Sequence, residues 1–158
     1  MGQGYVFRCR NCQKEYMVFP GTGMFYHDMY EDEIRKIVAG DYGEKLKNLY
    51  ESTPHAAINA ANVVYVCSSC GKWEESKDLT LYAPIDPDRS YAIRKIKSRG
   101  SLPSDWDLRW LYHVIKRYYK KCPCCGKRMH KASEEEERNL SCPECGTVNE
   151  ADSIMMWD

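Results

Sequence analysis

Four pairs of cysteines, each with two residues between its members, constrain this chain more than any other feature: Cys9/Cys12, Cys67/Cys70, Cys122/Cys125 and Cys142/Cys145. Thiolates at i and i+3 on a tight turn reach one ion from the same side, and a second such turn completes a tetrahedron. Glycine suits the position after the second cysteine, where turning the backbone amides toward the sulfurs requires a positive φ. Gly71, Gly126 and Gly146 occupy it, whereas Gln13 follows Cys12. Disulfides would need an oxidising compartment, and residues 1–5 lack the charged start and apolar run of an export signal. No stretch approaches the ~18 apolar residues of a membrane span. The pattern predicts two metal ions per chain, zinc first and iron as the alternative, in a cytoplasmic protein.

Cys122-Pro123-Cys124-Cys125-Gly126 and Cys142-Pro143-Glu144-Cys145-Gly146 both carry a C-P-x-C-G knuckle. In this the chain resembles the zinc-ribbon and rubredoxin-like proteins over its last forty residues, and more loosely at Cys67-Ser68-Ser69-Cys70-Gly71. It also resembles bacterial double zinc-ribbon proteins, a likeness that implies a fold and no activity. The ninth cysteine, Cys124, reads as a spare thiol pointing away from the metal.

The four pairs can meet in more than one way. Sequential pairing closes loops of 54 and 16 residues, and cross-bracing first with third and second with fourth closes loops of 109 and 71. Loop-closure entropy makes the second costlier by about 2 kcal/mol. The expected sites are therefore Cys9, Cys12, Cys67 and Cys70, then Cys122, Cys125, Cys142 and Cys145.

Around these sites the spacing predicts a small, metal-stabilised α+β chain with two ribbons. Residues 1–83 form the first, with a hairpin about Cys9 and Cys12, a helical insertion over about 20–62, a strand at 63–66 and a closing strand at 79–82. The insertion's helix, Asp28 to Tyr50, is interrupted at Gly40 and Gly43. Pro84-Ile85-Asp86-Pro87-Asp88 marks a boundary. A basic linker and connecting helix follow over 84–121, with a short helix at 91–99 and a capping-box start at Ser104 and Asp107 for a helix to about Tyr119. The second ribbon is 122–158.

Formal charge is zero, and falls to −4 once eight thiolates hold two divalent ions. Positive charge is clustered: residues 89–131 carry 13 basic and 2 acidic side chains. Arg94, Lys95, Lys97, Arg99, Arg109, Lys116, Arg117, Lys120, Lys121, Lys127 and Arg128 interleave there with Tyr91, Trp106, Trp110, Tyr112, Tyr118 and Tyr119. Basic groups neutralise phosphates and aromatic rings stack on unpaired bases, so Arg109, Lys116, Lys120, Lys121, Lys127 and Arg128 are candidate nucleic-acid contacts. The competing reading makes the rings core and the charges a solvated face, with Glu134 to Glu137 as internal partners.

Catalytic signatures are missing. A hydrolytic zinc site keeps one position open for water, and a full set of four cysteines leaves none. No H-E-x-x-H occurs, and no histidine begins an H-x-E. The lysines and arginine flanking Cys122 and Cys125 would lower thiol pKa values as a disulfide oxidoreductase requires, but no thioredoxin-like βαβ context accompanies them. The expectation is a non-enzymatic zinc-binding interaction module contacting nucleic acid. A protein–protein adaptor with structural zinc is the alternative, and a rubredoxin-like iron electron carrier the third; no small-molecule substrate and no membrane is implied.

Overall fold

The computed structural model describes residues 2–23, 26–87 and 102–157. The chain divides into two compact units that interleave in sequence: Met1–Met24, Ala61–Lys77 and Tyr119–Asp158 make unit 1, and Phe25–Ala60 with Asp78–Tyr118 make unit 2.

Unit 1 is built from hairpins that carry the knuckles at their tips. Strand β1 (Gly2–Arg8) runs into the first knuckle and returns as β2 (Glu15–Val18), as the sequence predicts. Alternation puts Tyr5, Phe7, Tyr16 and Val18 on one face, all buried. Strands β4 (Asn62–Val66) and β5 (Trp73–Lys77) flank the second knuckle. A single bridge, Lys121 to Arg128, closes the third, after which β8 (His130–Lys131) pairs with β4. Strands β9 (Asn139–Ser141) and β10 (Val148–Glu150) carry the fourth. The last strand, β11 (Ser153–Trp157), pairs antiparallel with β1. Gly4 makes that possible, since a Cβ there would lie 2.9 Å from Met155 Cγ and 3.0 Å from the Phe19 ring.

One core joins these hairpins. Phe7 and Tyr16 stack at 4.8 Å, Trp73 follows Tyr16 at 6.1 Å, and Val64 and Leu140 complete the cluster. Polar links cross it. Tyr16 Oη donates to the Leu140 carbonyl (2.8 Å) and accepts from the buried Asn149 amide (3.2 Å), and Trp73 Nε1 donates to the Ser141 carbonyl (2.6 Å).

Unit 2 contains α1 (Tyr26–Ala39) and α2 (Glu44–Ser52), separated at Gly40 and Gly43, both with positive φ, where the sequence places the interruption. Tyr30, Ile37 and Leu46 pack with Ile58, Leu79 and Leu81. Its sheet has the order β3 (Ala57–Ile58), β6 (Leu81–Pro84), β7 (Tyr112–Lys116). Between β6 and β7 lies the helix α3 (Asp105–Trp110).

Several expectations are corrected here. The composition shift at 84–88 marks no structural boundary: the insertion expected at 20–62 folds together with much of the segment expected as a linker over 84–121. The strand that closes the second knuckle is β5, and of the 79–82 run only Leu81 and Tyr82 are in a strand, β6 of the unit 2 sheet. The capping box at Ser104 is present, with the Ser104 Oγ accepting from the Asp107 amide at 3.2 Å. The helix nevertheless stops at Trp110, because the aromatic and β-branched run Tyr112-His113-Val114-Ile115 finds a ladder on β6. The continuous helix expected to about Tyr119 therefore does not form, and Arg109 lies on the helix while Lys116 lies on the strand. The short helix expected at 91–99, with Arg94, Lys95, Lys97 and Arg99, lies outside the described residues.

Candidate metal centre

All four knuckles repeat one backbone pattern. The amide of the first cysteine donates to the carbonyl five residues on at 2.8 Å: Cys9 to Lys14, Cys67 to Lys72, Cys122 to Lys127 and Cys142 to Thr147. The residue after the second cysteine donates back to the first at 2.9 Å, with φ of 63° at Gln13, 70° at Gly71 and Gly126, and 75° at Gly146. Gln13 thus adopts the left-handed conformation that glycine takes in the other three. The turn aims further amides at sulfur: Asn11 and Cys12 toward Cys9, Ser69 and Cys70 toward Cys67, Cys124 and Cys125 toward Cys122.

The thiols assemble into two groups of four, each able to hold one metal ion, and both lie in unit 1. Cys9, Cys12, Cys142 and Cys145 form one, and Cys67, Cys70, Cys122 and Cys125 the other, with the sulfurs of a group within 4.8 Å of one another. Between knuckles, Cys9 and Cys145 approach to 3.4 Å, Cys12 and Cys142 to 3.6 Å, and Cys67–Cys125 and Cys70–Cys122 to 3.5 Å. A tetrahedron with Zn–S bonds near 2.3 Å has edges of about 3.8 Å, so the donor sets fit such an ion, whereas a disulfide would need ~2.05 Å. In each group the first cysteine of a pair is buried and the second exposed.

The eight cysteines that the sequence names are the ones brought together into groups able to hold a metal, but the sequential grouping is overturned. The knuckles are nested, first with fourth and second with third, closing loops of 129 and 51 residues. That costs about 2 kcal/mol more in loop entropy than sequential closure. Burying one large apolar side chain contributes about as much, and the shared core buries several. Loop entropy was too small a term to decide.

Without metal, four adjacent thiols cannot all ionise, and local donors select which do. The amides of Cys70 and Ser69 hold Cys67 down to about 6, and the Thr147 hydroxyl and amide hold Cys145 down to about 6. The Lys14 and Lys72 amides favour ionised Cys12 and Cys70, but the neighbouring sulfurs, with the partial loss of hydration that their packing brings, outweigh them and push both thiols up to about 12. Metal binding displaces these protons. Cys124 is exposed and belongs to neither group.

The candidate nucleic-acid residues are divided between the units. Arg109, on α3 with its guanidinium 5.5 Å from the Trp110 ring centre, and Lys116, on β7, belong to unit 2. Lys120, Lys121, Lys127 and Arg128 surround the third knuckle in unit 1. Lys120 is largely covered and pairs with Glu74 at 3.3 Å, Lys127 donates to Ser69 Oγ at 2.9 Å, and Arg128 stacks on the exposed Tyr119 ring at 3.1 Å. The Glu134 to Glu137 run forms the one-turn helix α4 (Glu134–Glu137), capped by Ser133, with Glu134 pairing Arg138 at 2.6 Å.

Sequence reasoning missed a polar chain beside the second group. Ser68 Oγ lies 3.1 Å from His130 Nδ1, and His130 Nε2 lies 2.8 Å from Glu136 Oε1. The Ser133 amide and His130 hold the Glu136 carboxyl below its ordinary value. No spacing rule connects positions 68, 130 and 136, which only the pairing of β8 with β4 brings together. Comparison with family models, curated proteins and solved structures gives no match.

Proposed function

We propose that the protein is a non-catalytic zinc-binding interaction module whose two ions are structural. The observation that carries this reading is the pair of four-sulfur groups, each complete from protein donors alone, which leaves no ligand position for a substrate or water. The Ser68, His130 and Glu136 chain does not argue for hydrolysis. Ser68 and His130 are exposed and Glu136 only half-buried, and the Ser69 and Cys70 amides that would have to stabilise an oxyanion are turned onto the Cys67 sulfur. Iron is the competing ion for the same donors. Elemental analysis of purified protein tests the reading: two zinc per chain with no visible absorption supports it, and red protein with stoichiometric iron moves it to electron transfer.

The partner we favour is single-stranded nucleic acid at the third knuckle, where Lys121, Lys127 and Arg128 cluster beside the exposed Tyr119 ring. Affinity should then fall with salt at a log–log slope of about −0.7 per phosphate neutralised. Lys121→Glu with Arg128→Glu should weaken binding about tenfold or more while zinc content stays unchanged. Absence of binding at low ionic strength moves the reading to a protein adaptor. That alternative draws on Trp106 and Trp110, one turn apart on α3 and 62% and 59% exposed. No helix among the described residues is long and apolar enough to cross a membrane. A reducing cytoplasm is the proposed location because the groups work as thiolates.

A further inference from the structure

An edge strand offers a row of unpaired amides and carbonyls to any passing strand, and proteins ordinarily protect it with charged side chains, proline or a bulge. Among the described residues, the edge strands of four or more residues are β2, β5, β7 and β11. Glu15 guards β2, Glu74, Glu75 and Lys77 guard β5, and Lys116 guards β7. Strand β11 alone carries no charge, no proline and no register shift against β1. Its sequence is Ser-Ile-Met-Met-Trp, with Ile154 48%, Met155 41% and Met156 61% exposed.

The two faces of β11 are apolar for different reasons. Met155 and the Phe19 ring both border Gly4, with Met17 exposed on the same face as Met155, since Met155 is registered with Gly4 and Met17 with Val6. Ile154 and Met156 stand on the other face, registered with Tyr5 and Gln3. We propose that β11 is a self-association edge, pairing antiparallel with β11 of a second copy of this chain about a two-fold axis at Met155. In that register Ile154 and Met156 face each other twice, Met155 faces its own copy, and the three-stranded sheet β11-β1-β2 becomes six-stranded. The occupant is a second copy because the centre of the strand is complementary to itself: Ile154, Met155 and Met156 each meet an apolar side chain, the small uncharged Ser153 falls opposite Trp157, and no charge within the strand is left facing an apolar partner. The two-fold uses up both unguarded edges, so association closes at the dimer. A pairing of five residues falls below the area of a standard stable interface, which makes the dimer a reversible one.

Sedimentation of the full zinc-loaded chain over a range of concentrations tests this, together with amide exchange across β11. The expected result is a monomer–dimer equilibrium in which Ile154, Met155 and Met156 amides gain protection as concentration rises. Met155→Lys places two ammonium groups opposite each other and should weaken the dimer at least tenfold, while its aliphatic stem still covers Gly4. Met156→Lys, at a more exposed position, provides a second disruption, and unchanged zinc content shows that both variants fold. Met17→Lys, on the far edge, should leave association unaltered. A monomer at every concentration, association that both β11 variants leave unchanged, or growth past the dimer would each overturn the proposal.

Discussion

Gln13 is the one knuckle residue whose identity departs from its backbone conformation, with φ at 63° where the other three knuckles have glycine. The left-handed region costs a non-glycine residue about 1 kcal/mol, so Gln13→Gly should raise the stability of unit 1 by up to that amount. Calorimetry of the zinc-loaded protein reads it; a lower Tm would mean that the Gln13 side chain, 3.4 Å from the Arg10 carbonyl, matters more than the backbone. Tyr16→Phe acts in the opposite direction. It leaves the Leu140 carbonyl and the buried Asn149 amide without their hydroxyl partner, a loss of about 1–3 kcal/mol in denaturant unfolding. The cysteines and the turn glycines were legible in the sequence because their chemistry is local. Tyr16, Trp73 and Asn149 were not, because their importance comes from partners more than sixty residues away.

Among the elements, local signals succeeded where the chain decides alone and failed where a partner decides. The α1–α2 break at Gly40 to Gly43 and the Ser104 capping box follow from neighbouring residues. Strand β7 does not: its spacing fits a helix equally well, and only the ladder to β6 selects the strand. Unit 2 also carries a pH signature. Burial raises the Tyr26, Tyr30, Tyr50 and Tyr112 phenols above 10, and at Tyr42 burial is joined by the Glu33 carboxylate, which accepts its hydroxyl. A phenol whose folded pKa is raised contributes stability that is complete below the unfolded value near 10 and is lost as pH rises through the folded value. Unit 2 should therefore unfold as pH rises above about 10, with tyrosinate absorbance appearing in step with loss of helical circular dichroism. Ionisation of these tyrosines at the ordinary pKa with the helices intact would contradict their burial.

For the whole molecule, the eight clustered cysteines and the α+β class were legible in the sequence but the connectivity was not, since the competing loop-closure terms differ by only about 2 kcal/mol. Nesting makes β1, β2, β9 and β10 one cooperative piece around the first thiol group. Cys142→Ser should thus release the ion shared with Cys9, Cys12 and Cys145, and amide exchange should accelerate in β1 and β2 as much as in β9 and β10. Exchange confined to residues 122–158 would instead indicate two sequential ribbons. The most direct test substitutes cadmium-113 for zinc and correlates each cadmium resonance with the cysteine β-protons coupled to it. Nested centres predict one resonance joined to Cys9, Cys12, Cys142 and Cys145 and a second to Cys67, Cys70, Cys122 and Cys125. A resonance joined to Cys9, Cys12, Cys67 and Cys70 would contradict the account.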